Sequence, residues 1–186
     1  GLTEGSRMTE NLRARGPAGR AAALGICMAL AIAVSLLEGW LPALPVPGAK
    51  LGLSNIVTMF VLSSMGLPAA LAEAAGKAVF ALFRGGTAFL MSFAGGAAST
   101  LVMAACLRFF RGHVSYIGIG VAGAVAHNMA QLAVSMALLD VSLYYFAPGL
   151  LVMAAAAGTV TGLALNLVMP ALERSLAGGS RRRKAG

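Results

Sequence analysis

Ala69-Ala-Leu-Ala-Glu-Ala-Ala-Gly-Lys-Ala-Val-Phe-Ala-Leu-Phe-Arg84 is apolar enough to enter a membrane, yet it carries three charges. Whether this stretch crosses decides how many spans the chain has, and so where its two ends lie. At 100° per residue, Glu73, Lys77 and Arg84 fall within about 40° of one another, which leaves the opposite face of a helix free for lipid. Glu73 and Lys77 are also four residues apart, the spacing of an intrahelical ion pair. The stretch reads as a transmembrane helix, the third in the chain, over roughly Ala69 to Phe83.

The rest of the chain supports that reading. Of its 186 residues 59 % are apolar and 11 % charged, where a soluble domain carries roughly 25 % charged residues. A helix covers a bilayer of about 30 Å with roughly 20 residues, so the length allows about six spans joined by short connections. A β-barrel needs strands of about ten residues that alternate in polarity, and the long Ala-, Leu- and Gly-rich runs do not alternate. The expected fold is an all-α integral membrane protein, a six-helix transmembrane bundle.

The other spans follow from the apolar runs. The first covers about Ala21 to Leu41, with Glu38 and Trp40 at its far interface. Ala21, Gly25, Ala29 and Ala33 recur every four residues and give it a small-residue seam, suited either to packing inside the bundle or to docking another subunit. Pro42, Pro45 and Pro47 forbid helix in the next segment. A second, short span runs from near Lys50 to Gly66-Leu67-Pro68. A fourth covers about Ala88 to Leu107, with Ser92, Gly96 and Ser99 on one face. The fifth, Ile117 to Leu139, lines up Gly120, Ala124, His127 and Gln131 with Asn128 beside them, and the sixth runs from Pro148 to Leu172. Three segments result: a basic N-terminal stretch over 1–20, whose Gly1 to Arg7 reads as an expression remnant before a start at Met8, a membrane domain over 21–172 and a basic tail over 173–186. No cleavable signal peptide is evident.

Charge tests the count. The net charge of +8 is not spread as a nucleic-acid surface would be. Arg7, Arg13, Arg15 and Arg20 precede the first run, and Arg174, Arg181, Arg182, Arg183 and Lys184 follow the last. With six spans these residues share one side with Arg108 and Arg111, against Lys50 and Arg84 opposite. The positive-inside rule then places both termini in the cytoplasm.

That topology gathers polar residues at the outer end. In Pro47-Gly-Ala-Lys-Leu-Gly-Leu-Ser-Asn55, Lys50, Ser54 and Asn55 sit at a helix entrance, where polar groups are costly unless something uses them. Arg84, Ser92, Gln131, Ser135, Asp140, Tyr144 and Tyr145 lie near the same end, so an outward-facing pocket is expected. Lys50 and Arg84 suit a carboxylate or phosphate, while Trp40, the tyrosines and the methionines suit an apolar or ring-bearing part. Both cations also fit as residues that snorkel to lipid headgroups. His127, Asn128 and Gln131 form the densest polar cluster at mid-membrane depth and must bond across helices or to a ligand.

Chemistry on the chain itself is not expected. There is no Gly-rich phosphate loop for ATP. Asp140 is the sole aspartate, so paired carboxylates to hold magnesium for diphosphate chemistry are missing. His113 lies away from His127, which argues against a metal site, and Cys27 and Cys106 read as small side chains within apolar runs. No cofactor is implied.

The motifs PGAKLGLSNIVT (47–58), SFAGGAASTLVMA (92–104), GVAGAVAHNMAQL (120–132) and APGLL followed by AGTVTGL (147–163) resemble, in order, the Gx transporter family, often labelled heptaprenyl diphosphate synthase component I. That family is in turn similar to the substrate-binding S components of energy-coupling factor transporters. The resemblance covers about Ala21 to Leu172. It implies a bacterial cytoplasmic-membrane protein of six helices, with cytoplasmic termini, a first outer loop over the ligand and a site in the outer half. Lys50, Ser54, Asn55, Arg84, Ser92, His127, Asn128, Gln131 and Tyr144 are the candidate ligand contacts. It further implies docking of a transmembrane T subunit on the Ala21, Gly25, Ala29 and Ala33 seam, with two ATPases supplying energy. The alternative is a non-catalytic membrane accessory of isoprenoid or quinone synthesis.

Overall fold

Long runs of Ala, Leu and Val separated by Gly and Pro fold as helices wherever no breaker interrupts them. A computed structural model, which describes residues 16–40, 52–110, 115–139 and 144–184, contains six α-helices: α1 (Pro17–Trp40), α2 (Ser54–Met65), α3 (Leu67–Ala81), α4 (Gly86–Phe109), α5 (Tyr116–Leu139) and α6 (Ala147–Lys184). Short 3-10 turns, Leu82–Arg84 and Tyr144–Phe146, follow α3 and precede α6. Lys50, the three loop prolines, Arg111, His113 and Asp140 lie outside the described residues.

Local chemistry sets the breaks. Pro17 opens α1, where a missing N–H costs nothing. Gly66 takes φ 90° and donates its N–H to Leu62 O at 3.2 Å, closing α2, and Pro68 sits in the first turn of α3. Gly85, at φ 118°, separates the 3-10 turn from α4. An L side chain rarely adopts either angle.

The bundle is arranged around α2, which packs against each of the other five helices. Its Val57, Met59 and Val61 join Ala31, Met103 and Leu165 in the central apolar cluster. The most extensive pairings are α5 on α6 and α4 on α5, followed by α3 on α4. The first of these is a glycine contact. A Cβ on Gly120 would stand 2.6 Å from Gly158 O, and Cβ atoms on Gly158 and Gly162 would strike the backbone at Val121 and Ile117. Backbones come this close where glycine leaves out the side chain that would stand between them.

Consecutive helices alternate in direction, so the C-terminal ends of α1, α3 and α5 and the N-terminal ends of α2, α4 and α6 share one end of the bundle, called here the Arg84 end. Lys77 reaching Ser54 and Gly95 facing Gln131 while Gly123 faces Met103 fix that arrangement.

Two expectations need adjustment. Four helices, Pro17–Trp40, Gly86–Phe109, Tyr116–Leu138 and Ala147–Leu167, are long and apolar enough to cross a membrane. At 1.5 Å per residue α2 and α3 measure only about 18 Å and 22 Å; the Gly66 break and the polar content of both hold them below full span length. The helix α6 also continues past the expected Leu172 to Lys184. Large apolar side chains point outward all around the bundle, among them Ile26, Leu30, Phe83, Phe109, Val152 and Leu167. Water would penalise such a surface, and hydrocarbon does not.

Candidate functional site

The polar residues that this sequence places inside apolar runs are mostly turned inward. Ser54, Asn55 and Thr58 on α2, Glu73 and Lys77 on α3, Ser92, Ser99 and Thr100 on α4, and His127, Asn128 and Gln131 on α5 are all buried. Spacing explains the grouping. Ser54 and Thr58 share a face at i, i+4, as do Glu73 and Lys77, and the Gly66 turn folds those two faces together.

The result is a network between α2 and α3. Thr58 Oγ1 donates to Glu73 Oε2 at 2.8 Å and accepts from Lys77 Nζ at 3.5 Å; Lys77 Nζ also donates to Ser54 Oγ at 3.3 Å. The spacing of Glu73 and Lys77 predicted an intrahelical ion pair. Instead, α2 inserts the Thr58 hydroxyl between the two charges, because α2 is packed directly on that stripe. Glu73 has no exposed surface and Lys77 retains 6 %. A lone charge at mid-bilayer costs about 2.5–3.5 kcal/mol on insertion scales, and opposite signs so close reduce that cost.

A second junction ties α1 to α2. Glu38, read from sequence as an interface residue, is turned in and nine-tenths buried. Its Oε1 accepts the N–H of Gly52, one of the donors left open where α2 begins. A carboxylate at a helix N-terminus is stabilised by the backbone dipoles as well as by the bond. Trp40, by contrast, is 85 % exposed.

On the other side of the bundle, glycine makes room for α5. A Cβ on Gly95 would lie 2.9 Å from His127 Cε1 and 3.0 Å from Gln131 Cγ, and one on Gly96 would lie 3.4 Å from Ala74 Cβ. These two adjacent glycines therefore hold α5 and α3 against α4 at one depth, with Glu73 next to Ala74 and Asn128 next to His127. Asn128 Nδ2 donates to Ala124 O at 3.0 Å, which fixes the orientation of its amide. Among the described residues Glu73 Oε1, Asn128 Oδ1 and Gln131 Oε1 are buried without a hydrogen-bond partner. An unmet buried acceptor costs about 1–3 kcal/mol. Native proteins seldom keep several in one layer without a use for them.

The sequence-derived candidates are thus distributed unevenly. Ser54, Asn55, Ser92, His127, Asn128 and Gln131 lie in the interior. Arg84 is exposed, Lys50 is outside the described residues, and Tyr144 is described in its backbone alone. The residues that sequence reasoning undervalued are Thr58, Glu73, Lys77 and Glu38. A faint signal for Thr58 was its position one turn after Ser54; Glu38 had none, because its partner is a backbone group just ahead of another helix. The seam of Ala21, Gly25, Ala29 and Ala33 is exposed, with nothing within 4 Å of a Cβ on Gly25. It is not used for packing inside the bundle.

Apolar outside, polar within, and built from four helices of membrane-crossing length, the molecule is a polytopic α-helical membrane protein. A family model for heptaprenyl diphosphate synthase component I matches residues 27–168, and the chain belongs to that family. No curated protein and no solved structure matches it.

Proposed function

We propose that this chain captures a small molecule within its bundle, as the substrate-binding subunit of an energy-coupled uptake system. The observation that carries the reading is the polar layer at the depth of Gly95 and Gly96, where buried acceptors from α3 and α5 have no hydrogen-bond partner among the described residues. In a scaffold they would be paired across helices. The candidate contacts are Ser54, Asn55, Ser92, His127, Asn128 and Gln131 in the interior, Arg84 and Tyr144 at the Arg84 end, and Lys50, which lies outside the described residues. Entry is from outside the cell, with both termini cytoplasmic, an orientation that the basic ends support.

The exposed face of α1 supports the same role. Ala21, Gly25, Ala29 and Ala33 present a flat strip that a T subunit can approach closely, and two ATPases bound to that subunit supply the energy this chain has no phosphate loop to obtain. The family's printed description favours a second reading, a membrane accessory of prenyl diphosphate synthesis. Asp140 is the sole aspartate, so in that reading too the chemistry belongs to a partner.

Affinity purification of the tagged full-length chain from its native membrane separates the two. Recovery of a T subunit with ATPases is the expected result. Recovery of a soluble prenyl synthase in their place overturns the uptake reading.

A further inference from the structure

The polar layer is strongly biased in one respect. Glu73 Oε1 and Asn128 Oδ1 are acceptors, the latter held in place by the bond from its own amide nitrogen to Ala124 O; Gln131 Oε1 adds a third, on an amide that can also turn its NH2 inward. Glu73 is wholly buried and the two amides nearly so. All three lie on residues that flank the Gly95-Gly96 step, Glu73 through Ala74 and the amides through His127 and Gln131. The charged donor beside them is Lys77. The Lys77 ammonium makes bonds of 3.3 Å and 3.5 Å to Ser54 and Thr58, at the long limit of hydrogen bonding, and an ammonium has three protons to give.

Resting on the capture role proposed above, we infer that this layer recognises an uncharged head group with N–H donors beside a carbonyl, a carboxamide or cyclic amide, rather than an anion. A carboxylate at this depth would set its own lone pairs against those of Glu73 and Asn128. A cationic head would meet Lys77 one turn along the face that carries Glu73. An amide presents N–H to the acceptors and its oxygen to Lys77, so each buried group gains a partner of the opposite kind. The anion expected from Lys50 and Arg84 is confined to whatever part of a ligand reaches the Arg84 end.

Nicotinamide and nicotinate differ at a single group, amide against carboxylate, and make a matched pair of probes. Calorimetric titration of the full-length protein in lipid nanodiscs is expected to show nicotinamide binding, nicotinate binding at least tenfold more weakly, and at least tenfold loss of nicotinamide affinity in Glu73→Gln. Because Glu73→Gln also touches the α2–α3 network, Gln131→Leu repeats the test from the other side and is expected to weaken nicotinamide at least threefold. Equal or tighter binding of nicotinate, binding of neither probe, or nicotinamide affinity unchanged in both variants overturns the assignment. Tighter nicotinate binding together with recovery of the T subunit and ATPases would remove the amide class while leaving the capture role standing.

Discussion

Thr58 does with one hydroxyl what the sequence assigned to a direct ion pair, accepting from Lys77 and donating to Glu73. Substituting Val keeps the shape and removes the polar link, leaving Glu73 Oε2 without its 2.8 Å donor. Thr58→Val is expected to destabilise the protein by about 1–3 kcal/mol, the usual cost of orphaning a buried polar group. Thr58→Ser, which retains the hydroxyl, should recover most of that loss. Thermal unfolding of both variants in one detergent checks the pair. Glu38 is the second residue of this kind. Replacing it with Ala removes the acceptor at the start of α2, and a loss of about 0.5–2 kcal/mol is expected from helix-capping precedents, read in the same assay against Glu38→Gln.

Among the elements, the closest contact is the one between α5 and α6. Gly162→Leu drives a side chain into the Ile117 backbone, and overpacking of this type costs about 1–3 kcal/mol or more because the backbone cannot step aside. Gly76→Ala meets only the flexible end of Met28, so its unfolding temperature should stay near that of the parent. If Gly162→Leu melts no lower than Gly76→Ala, the close α5–α6 crossing is wrong. Helices of this length were readable from composition: α1, α4 and α5 begin and end within a few residues of the expected spans, since apolar runs and their Gly and Pro borders are local signals. The α2–α3 network was not readable. It depends on Ser54 and Thr58 facing Glu73 and Lys77 across the Gly66 turn, and helical spacing reports neighbours only within one helix. Glu38 fails for the same reason, its partner lying fourteen residues away on the backbone. The inward placement of His127, Asn128 and Gln131 was legible because an amide cluster in hydrocarbon has nowhere else to go.

At the scale of the whole molecule, sidedness and docking become testable. With Cys27 and Cys106 first replaced by Ala, Arg84→Cys is expected to react with a membrane-impermeant maleimide in intact cells and Ser180→Cys only after lysis. The reverse pattern would invert the bundle and with it the direction of capture. On α1, Ala29→Trp fills the exposed seam without touching the interior, so the unfolding temperature should hold while partner recovery in affinity purification falls at least fivefold. Unchanged recovery would free the seam from any docking role and leave it to lipid.

The shortness of α2 and α3 bears on how the chain enters the membrane at all. Four helices are apolar and long enough to partition one at a time as they leave the ribosome. A segment of about 18 Å followed by one bearing Glu73 and Lys77 is not, because each alone would carry unbonded polar groups into hydrocarbon. Once α2 folds back along α3, the hydroxyls of Ser54 and Thr58 bond Lys77 and one oxygen of Glu73. The hairpin therefore has to be admitted as a single unit, with α1 already in place to receive it, which makes the order of synthesis part of the fold.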